Sequence, residues 1–548
     1  MQLLKKILSK KQGSIGSAAF LLMTTVLLSR ILGLVRDRLL AGTFHPEQLG
    51  IYFAAFRLPN MLFELLVTGV LTTAFIPVFT RLYTKKGNDA AGNMASVIIN
   101  YGIVFYLILI IPFLLFTDQI CVFLAPGFSP SERAMMAQFT RLMIIFQVLP
   151  LMIGNFLTGI LQSYQLFFLP ALAPVIYNIG TIIGILLLAP IAGLYAPVIG
   201  ISIGAFLFLL IQIPAIIVVK YRHKLIFDTS VDGVKEVARL MGPRTFGLAV
   251  SQIDTTADLM LASFMGTRMV TIFNFAQQLQ QLPIGLFGAT IAQAALPSLS
   301  RSSAQSEHGQ FRKEVISAIH QILFFVLPVS VMFIVLRIPI TRLVFGTDRF
   351  DWEATVLTGK TLSAFSISLF AQAMLHILAR AFYALYDTKT PVFVGIFGIL
   401  LNVTFSIFFV NILHLPVWAL GLSTSIAILI QVSCLFVLLQ KKVGSFSFND
   451  SFITPIKIAT AAGVMGIVVF MLQRLLDELV FDTTRTLNLI LLVGTIGSFG
   501  LIMYLFLSWV FGVGQVAEFL LLFKKLKRVR TMLPIAIFST SDADHKEM

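Results

Sequence analysis

Apolar runs of about 20 residues recur along the whole chain, and they restrict its fold more than any other feature. As a helix, each run is long enough to cross a ~30 Å hydrocarbon core. Inside a bilayer every backbone N–H and C=O must find an internal partner, which leaves helices and closed barrels. A barrel would show alternating segments of about ten residues. These runs are longer and continuous, so the chain reads as an all-α polytopic membrane protein. Composition agrees: 57% of the 548 residues are hydrophobic and only 12% are charged, against roughly 25% charged in soluble domains. Mean hydropathy is +0.93. Disorder, collagen and secreted disulfide scaffolds are excluded.

Fourteen membrane helices are expected, near 16–36, 58–80, 95–117, 134–160, 168–190, 194–219, 240–264, 270–296, 315–338, 356–382, 391–412, 415–439, 455–475 and 487–511. The MQLLKKILSKKQ start resembles a signal peptide's basic region, but Arg30 and the length of the next run mark a retained helix. An even number of spans puts both termini on one side. Basic loop residues choose the cytoplasm for that side. Lys5, Lys6, Lys10, Lys11, Arg81, Lys85, Lys86, Lys220, Arg222, Lys224, Arg312, Lys313, Lys441, Lys442 and the 524–530 cluster then fall inside. Loops 120–133 and 265–269 fall outside, with only Arg133 and Arg268. The net charge of +15 is thus spent on orientation, and no nucleic-acid partner is expected. Cys121 and Cys434 lie far apart in apolar context, without metal-ligand spacing. The 524–530 run reads as a topology anchor that can also meet membrane lipid headgroups.

The chain repeats itself at an offset of 220: Phe53 matches Phe273, Leu62 Leu282, Leu66 Leu286, Ala74 Ala294, Pro77 Pro297 and Arg81 Arg301. Pro170 and Pro391 echo at 221. The offset spans six helices, so the two halves share one orientation, as parallel repeats around a central substrate site do. The expected organisation is two six-helix pseudo-repeated lobes, 1–222 and 223–442, then a C-terminal helix pair, 443–530, and a tail, 531–548.

Ionisable residues inside a membrane are costly and mark function by default. The first span reads SRILGLVRDRLLAG. Arg30 and Asp37 are seven apart and share a helix face, with Arg36 about 120° from Arg30. Arginine suits an anionic ligand, because its fork grips phosphate oxygens in pairs. Arg36 and Arg38 can instead snorkel, or Arg36 can pair with Asp37. Arg57 and Glu64 in the second span could face one cavity, and Glu64 could pair with a first-span arginine. In the seventh span Arg244 precedes Asp254 and Asp258. The two aspartates share a face and could bind Na⁺, carry protons or neutralise those arginines. Gln277, Gln278, Gln280 and Gln281 in the eighth span fit a polar cavity wall or interhelical hydrogen bonds. His320 and His376 stand alone and no catalytic motif is present, so an enzyme is not expected.

The strings SRILGLVRDRLLAGTF, AAFRLPN, AFIPVFTR, LPALAPVIYNIG, MGPRTFGLAVSQID, ALPSLSR and RAFYALYDTKTPV resemble the MurJ/MviN lipid II flippases of the multidrug/oligosaccharidyl-lipid/polysaccharide flippase superfamily. The resemblance implies fourteen helices. It also implies movement of the undecaprenyl-pyrophosphate-linked peptidoglycan precursor, lipid II, to the outer leaflet by alternating access. It implies a multi-pass protein of the bacterial cytoplasmic membrane, working beside the cell wall synthesis machinery. It places substrate contacts at Ser29, Arg30 and Arg36, with Asp37 beside them, and nominates Asp254 for Na⁺ coupling. No cofactor is implied; membrane potential, Na⁺ or H⁺ would drive the cycle. Many members carry charges where this chain has Gly50, Phe63, Thr68 and Gln278. Flippases of other polyprenyl-linked glycans, a MATE-like cation-coupled exporter and a membrane scaffold are the alternative readings.

Overall fold

In a computed structural model, the structure describes residues 15–68, 74–447, 452–479, 486–517 and 519. Side chains 15–23, 68, 242–244, 246–251 and 478–479 fall outside the description, as do the 1–14, 524–530 and 531–548 segments read above. Among the described residues every regular element is a helix.

Fourteen long helical segments follow in order. They are α1 (Ile15–Thr43), α2 (Pro46–Val67), α3 (Ile76–Leu115), α4 (Pro130–Ser163), α5 (Phe168–Ala192), α6 (Tyr195–Val218) and α7 (Val234–Phe264). Next come α8 (Thr267–Ala304), α9 (His308–Val335), α10 (Trp352–Ser366 with Leu369–Ala384, bent by 44°), α11 (Lys389–Ile412), α12 (Trp418–Val443), α13 (Thr454–Asp477) and α14 (Thr486–Val510). Eleven are long and apolar enough to cross a membrane, and the bent α10 makes twelve. Twelve segments thus meet that test against fourteen expected spans, and the second lies at Pro46–Val67, not at the expected 58–80. The other two are α1 and α7, of 29 and 31 residues. At 1.5 Å per residue they run about 44 and 46 Å, and they carry the ionisable residues read above.

The duplication extends to backbone detail. A π-helical turn at Glu64–Thr68 in α2 recurs at Ile284–Ala289 in α8, the offset seen in the sequence. Gln165 and Tyr386 share a left-handed φ (63° and 58°), as do Gly193 and His414 (54° and 49°), each pair 221 apart. The short helices Thr117–Leu124 and Arg337–Phe345 begin 220 apart. Gly87 breaks α3 with φ 84°, close to where Gln305–Glu307 separates α8 from α9 in the second copy.

The described chain divides into two compact units. One holds Met1–Gln277, Thr341–Thr361 and Ile399–Thr424; the other holds Gln278–Ile340, Leu362–Gly398 and Ser425–Met548. In the first unit α1 packs along α5, and α5 along α6. Lipid tails are as apolar as leucine, so membrane helices associate through close backbone approach at small residues. Gly180 and Gly184 on α5 meet Gly204 and Gly200 on α6 in this way. A Cβ at Gly184 would stand 2.2 Å from the Gly200 Cα, and one at Gly180 would stand 2.6 Å from the Gly204 Cα. In the second unit α9 packs on α13, α13 on α14 and α9 on α10. Tyr504 of α14 donates to the Phe324 carbonyl at 2.8 Å.

Gly184→Ala is therefore expected to lower the melting temperature, by an overpacking cost of about 1–3 kcal/mol. Gly463→Ala meets nothing within 4 Å and serves as the neutral control. Equal melting of the two variants in detergent would contradict the close α5–α6 contact.

Candidate functional site

The charged stretch of α1 is organised by one amide from α5. Asn178, only 6% exposed, donates through Nδ2 to the Ser29 carbonyl at 3.1 Å and to the Ser29 Oγ at 3.2 Å. Its Oδ1 accepts from Arg36 at 3.3 Å. Arg36 also donates through Nε to Asp37 at 3.0 Å, with a second nitrogen 2.9 Å from the same oxygen. Asp37 is buried at 2% exposure. Ser29, Arg36 and Asp37 therefore form one network with Asn178. Arg30 does not join it: its side chain is exposed, without an ion pair or hydrogen bond among the described residues. Arg30 and Asp37 lie seven residues apart on one continuous helix and keep the face their spacing gives; α1 is covered at Asp37 and exposed at Arg30. Arg38 does not snorkel; it donates to the Leu343 carbonyl at 2.6 Å.

A second centre lies on α7. Asp254 and Asp258 occupy one face, and Asn402 of α11 donates to both, at 3.0 and 3.1 Å. The Asn402 carbonyl oxygen accepts from the Thr424 hydroxyl of α12 at 3.3 Å. Asp258 and Asn402 are each 3% exposed. Arg57 of α2 reaches the same stretch of α7. It donates to the Gln252 carbonyl at 2.7 Å and to the Thr256 hydroxyl at 3.0 and 3.2 Å. Glu64 is half-buried within the α2 π-turn. Among the described residues it makes no ion pair, and neither α7 aspartate makes one with an α1 arginine. The expected Glu64 pairing and charge neutralisation are thus not seen. The Arg244 side chain lies outside the described residues.

The eighth-span amides divide between roles. Gln280 donates to Gln372 of α10, and Gln372 donates to Ser368 at 3.0 Å. Gln278 is half-buried. Cys121 and Cys434 are free thiols. Among the described residues no group of three or more His, Cys, Asp or Glu could hold a metal.

Two of the uncharged positions have a packing reason. A Cβ at Gly50 would fall 1.9 Å from the Thr267 carbonyl oxygen, so a carboxylate cannot stand there without moving α8. Phe63 packs on the buried cluster of Leu151, Ala173, Ala205 and Phe208, so this position is core. The Thr68 side chain lies outside the described residues.

At the adjoining ends of α2, α8 and α10, Arg268 gathers three carboxylates. It meets Asp351 at 2.6 and 2.8 Å, Glu47 at 3.0 Å and Glu353 at 3.2 Å. Asp351 also caps α10, accepting from the Ala354 N–H at 2.8 Å. Burial pushes the Asp351 carboxyl up, but the Ala354 N–H and the Arg268 guanidinium outweigh it and hold it below the usual range. It stays ionised at neutral pH. Sequence reading missed this cluster, together with Asn178, Asn402 and Thr424. Asn178 and Asn402 had a signal: each is an amide deep within a largely apolar span, which needs a polar partner.

Among the described residues, a duplicated helical bundle with charges buried on the first helix of each half marks a polytopic membrane protein. The pattern of the family "Lipid II flippase MurJ" matches residues 47–491, and the chain belongs to that family. It is 27% identical over 391 residues to the lipid II flippase MurJ of Burkholderia cenocepacia, covering 68% of this chain and 74% of that one. It is 28% identical to the probable lipid II flippase MurJ of Thermotoga maritima, covering 81% and 88%. A solved lipid II flippase MurJ in an inward closed conformation superposes with a TM-score of 0.73 at 27% identity, over 90% of this chain and 98% of that one. An inward-facing MATE transporter shares the fold, with a TM-score of 0.64 at 14% identity over 78% of this chain and 98% of that one.

Asn178→Ala removes the shared partner of Ser29 and Arg36. It is expected to cost about 1–3 kcal/mol of stability, read as a lower melting temperature. An unchanged transition would contradict the organising role of this amide.

Proposed function

We propose that this chain is a transporter that moves lipid II from the cytoplasmic to the outer leaflet of a bacterial cytoplasmic membrane, supplying cell wall synthesis. Its termini lie in the cytoplasm, as the basic loops indicate, and the synthesis machinery that consumes lipid II outside is its functional partner. The carrying observation is Arg30: an arginine well inside a membrane helix, exposed, and without a partner among the described residues. An unpaired cation at that depth is too costly to keep without an anionic ligand. The pyrophosphate of a polyprenyl-linked glycan supplies one, held as a fork by guanidinium. Arg36 is satisfied by Asp37 and Asn178, so it sets the field and geometry of α1 while Arg30 takes the ligand. Ser29 fixes that turn through Asn178. Arg57, Glu64 and Gln278 would line the path with weaker polarity.

Alternating access requires one closed side. With cytoplasmic termini, the α8, α10, α11 and α12 stretches within the first unit are all outer ends. Arg268 and its three carboxylates hold the α2, α8 and α10 ends together. This supports an outer-end contact between the two halves of the sequence that the transport cycle would break and remake. The six-helix lobes 1–222 and 223–442 are the proposed moving bodies, with 443–530 as an attached pair.

The Asp254, Asp258, Asn402 and Thr424 cluster is proposed as the coupling centre. Two carboxylates facing one amide would take up Na⁺ or a proton, since neither is matched by a buried ion pair among the described residues.

Arg30→Ala is expected to insert and fold normally, because it breaks no contact seen here, and to reduce flipping by at least tenfold in lipid II-loaded vesicles. Arg30→Lys keeps the charge but loses the fork, and should retain partial activity. Wild-type flipping by the alanine variant would remove Arg30 from the mechanism. Asp254→Asn is expected to abolish the response of flipping to an imposed Na⁺ or pH gradient. A response equal to wild type would exclude coupling at Asp254.

A further inference from the structure

The stretch joining α6 to α7 is not a free loop. Residues 221–228 have no regular structure, yet side chains of α3 bond the backbone of three of them. Asn100 donates through Nδ2 to the carbonyls of Lys224 and Ile226, both at 2.9 Å. Tyr101 donates to the Phe227 carbonyl at 2.5 Å, and its ring meets the Phe227 ring edge-on at 5.7 Å. The Lys224 N–H donates to Ser96 at 3.2 Å. Asn100 is buried at 3% exposure, which accounts for an amide in an otherwise apolar stretch of α3.

This pinning leaves an amphipathic edge. Leu225 is 83% exposed and Phe227 49%. The edge continues onto one face of α3 through Tyr101, Phe105 and Ile108, spaced i, i+4, i+7 and all exposed. That face belongs to a span long and apolar enough to cross the membrane, so its solvent is lipid. Lys220, Arg222 and Lys224 flank the edge and are exposed. The nearest acids are engaged elsewhere: Asp228 accepts from the Ser230 N–H and hydroxyl at 2.8 and 2.7 Å, and Asp232 pairs with Lys86 at 2.5 Å.

We infer that Lys220–Phe227 is a docking edge for anionic phospholipid at the bilayer interface. Leu225 and Phe227 enter the headgroup–acyl boundary, and Lys220, Arg222 and Lys224 hold lipid phosphates. The α3 caps at Lys224, Ile226 and Phe227 fix the irregular segment against the helix at the level of the interface. Cations beside an apolar edge match the negative surface of anionic lipid. The inference does not depend on what the chain transports.

The test uses the full chain in phosphatidylcholine vesicles with and without phosphatidylglycerol. A fluorophore on Leu225→Cys, in a Cys434→Ser background, should be quenched by shallow spin-labelled lipid and shielded from aqueous iodide. Quenching by iodide and not by lipid would overturn insertion. Spin-labelled phosphatidylglycerol should quench that fluorophore more than spin-labelled phosphatidylcholine. Replacing Lys220, Arg222 and Lys224 with glutamine should lower the preference, by up to about fivefold per charge removed, while shallow quenching persists. An unchanged preference in that triple variant would overturn the anionic-lipid role. Shielding of the fluorophore that appears only on adding a cytoplasmic extract would overturn it too, in favour of a protein partner.

Discussion

One interaction recurs at the heart of each half, and the arrangement of charge depends on it: a buried asparagine from the fifth helix of the half binds the polar face of the first. In the first half Asn178 of α5 joins Ser29 to the Arg36–Asp37 pair of α1. In the second half Asn402 of α11 joins Asp254 to Asp258 on α7. The amide is suited to this because it offers two donors and an acceptor without bringing a charge of its own. In a low-dielectric interior each such bond is strong, and a missing partner is correspondingly expensive. The repeat thus reuses one packing solution for two chemistries, a cation-bearing face in the first half and an acidic face in the second.

The consequences divide the charged residues into those that are satisfied and those that are not. Arg36 is held by Asp37 and Asn178, Arg38 by the Leu343 carbonyl, and Arg57 by Gln252 and Thr256. Arg30 stands apart from all of these. The transport account therefore rests on it more than on total charge. The absence of charge at Gly50 and Phe63 also becomes intelligible, since one position touches α8 backbone and the other is core.

Much of the architecture was readable beforehand because membrane helices announce themselves. Length and hydropathy located most of the spans, though the second was expected at 58–80 and lies at Pro46–Val67. The 220-residue offset located the duplication, which the structure extends to matched π-turns and matched left-handed residues. Helical spacing placed Asp254 and Asp258 on one face, since four residues nearly complete a turn. The same reasoning could not say that Asp37 is buried and Arg30 exposed, because spacing gives an angle and not which neighbour lies there. Asn178 lay inside a string already noticed, yet the partner of a lone amide is a tertiary fact. The Arg268 cluster joins Arg268 to a carboxylate 221 positions away, so no local pattern reveals it.

The central claim is that this chain flips lipid II, and the most direct measurement is rescue. A bacterium depleted of its own lipid II flippase, carrying this gene on a plasmid, should regain growth and outward-facing lipid II. Membrane insertion of the chain at normal levels without restored lipid II on the outer surface would contradict the account.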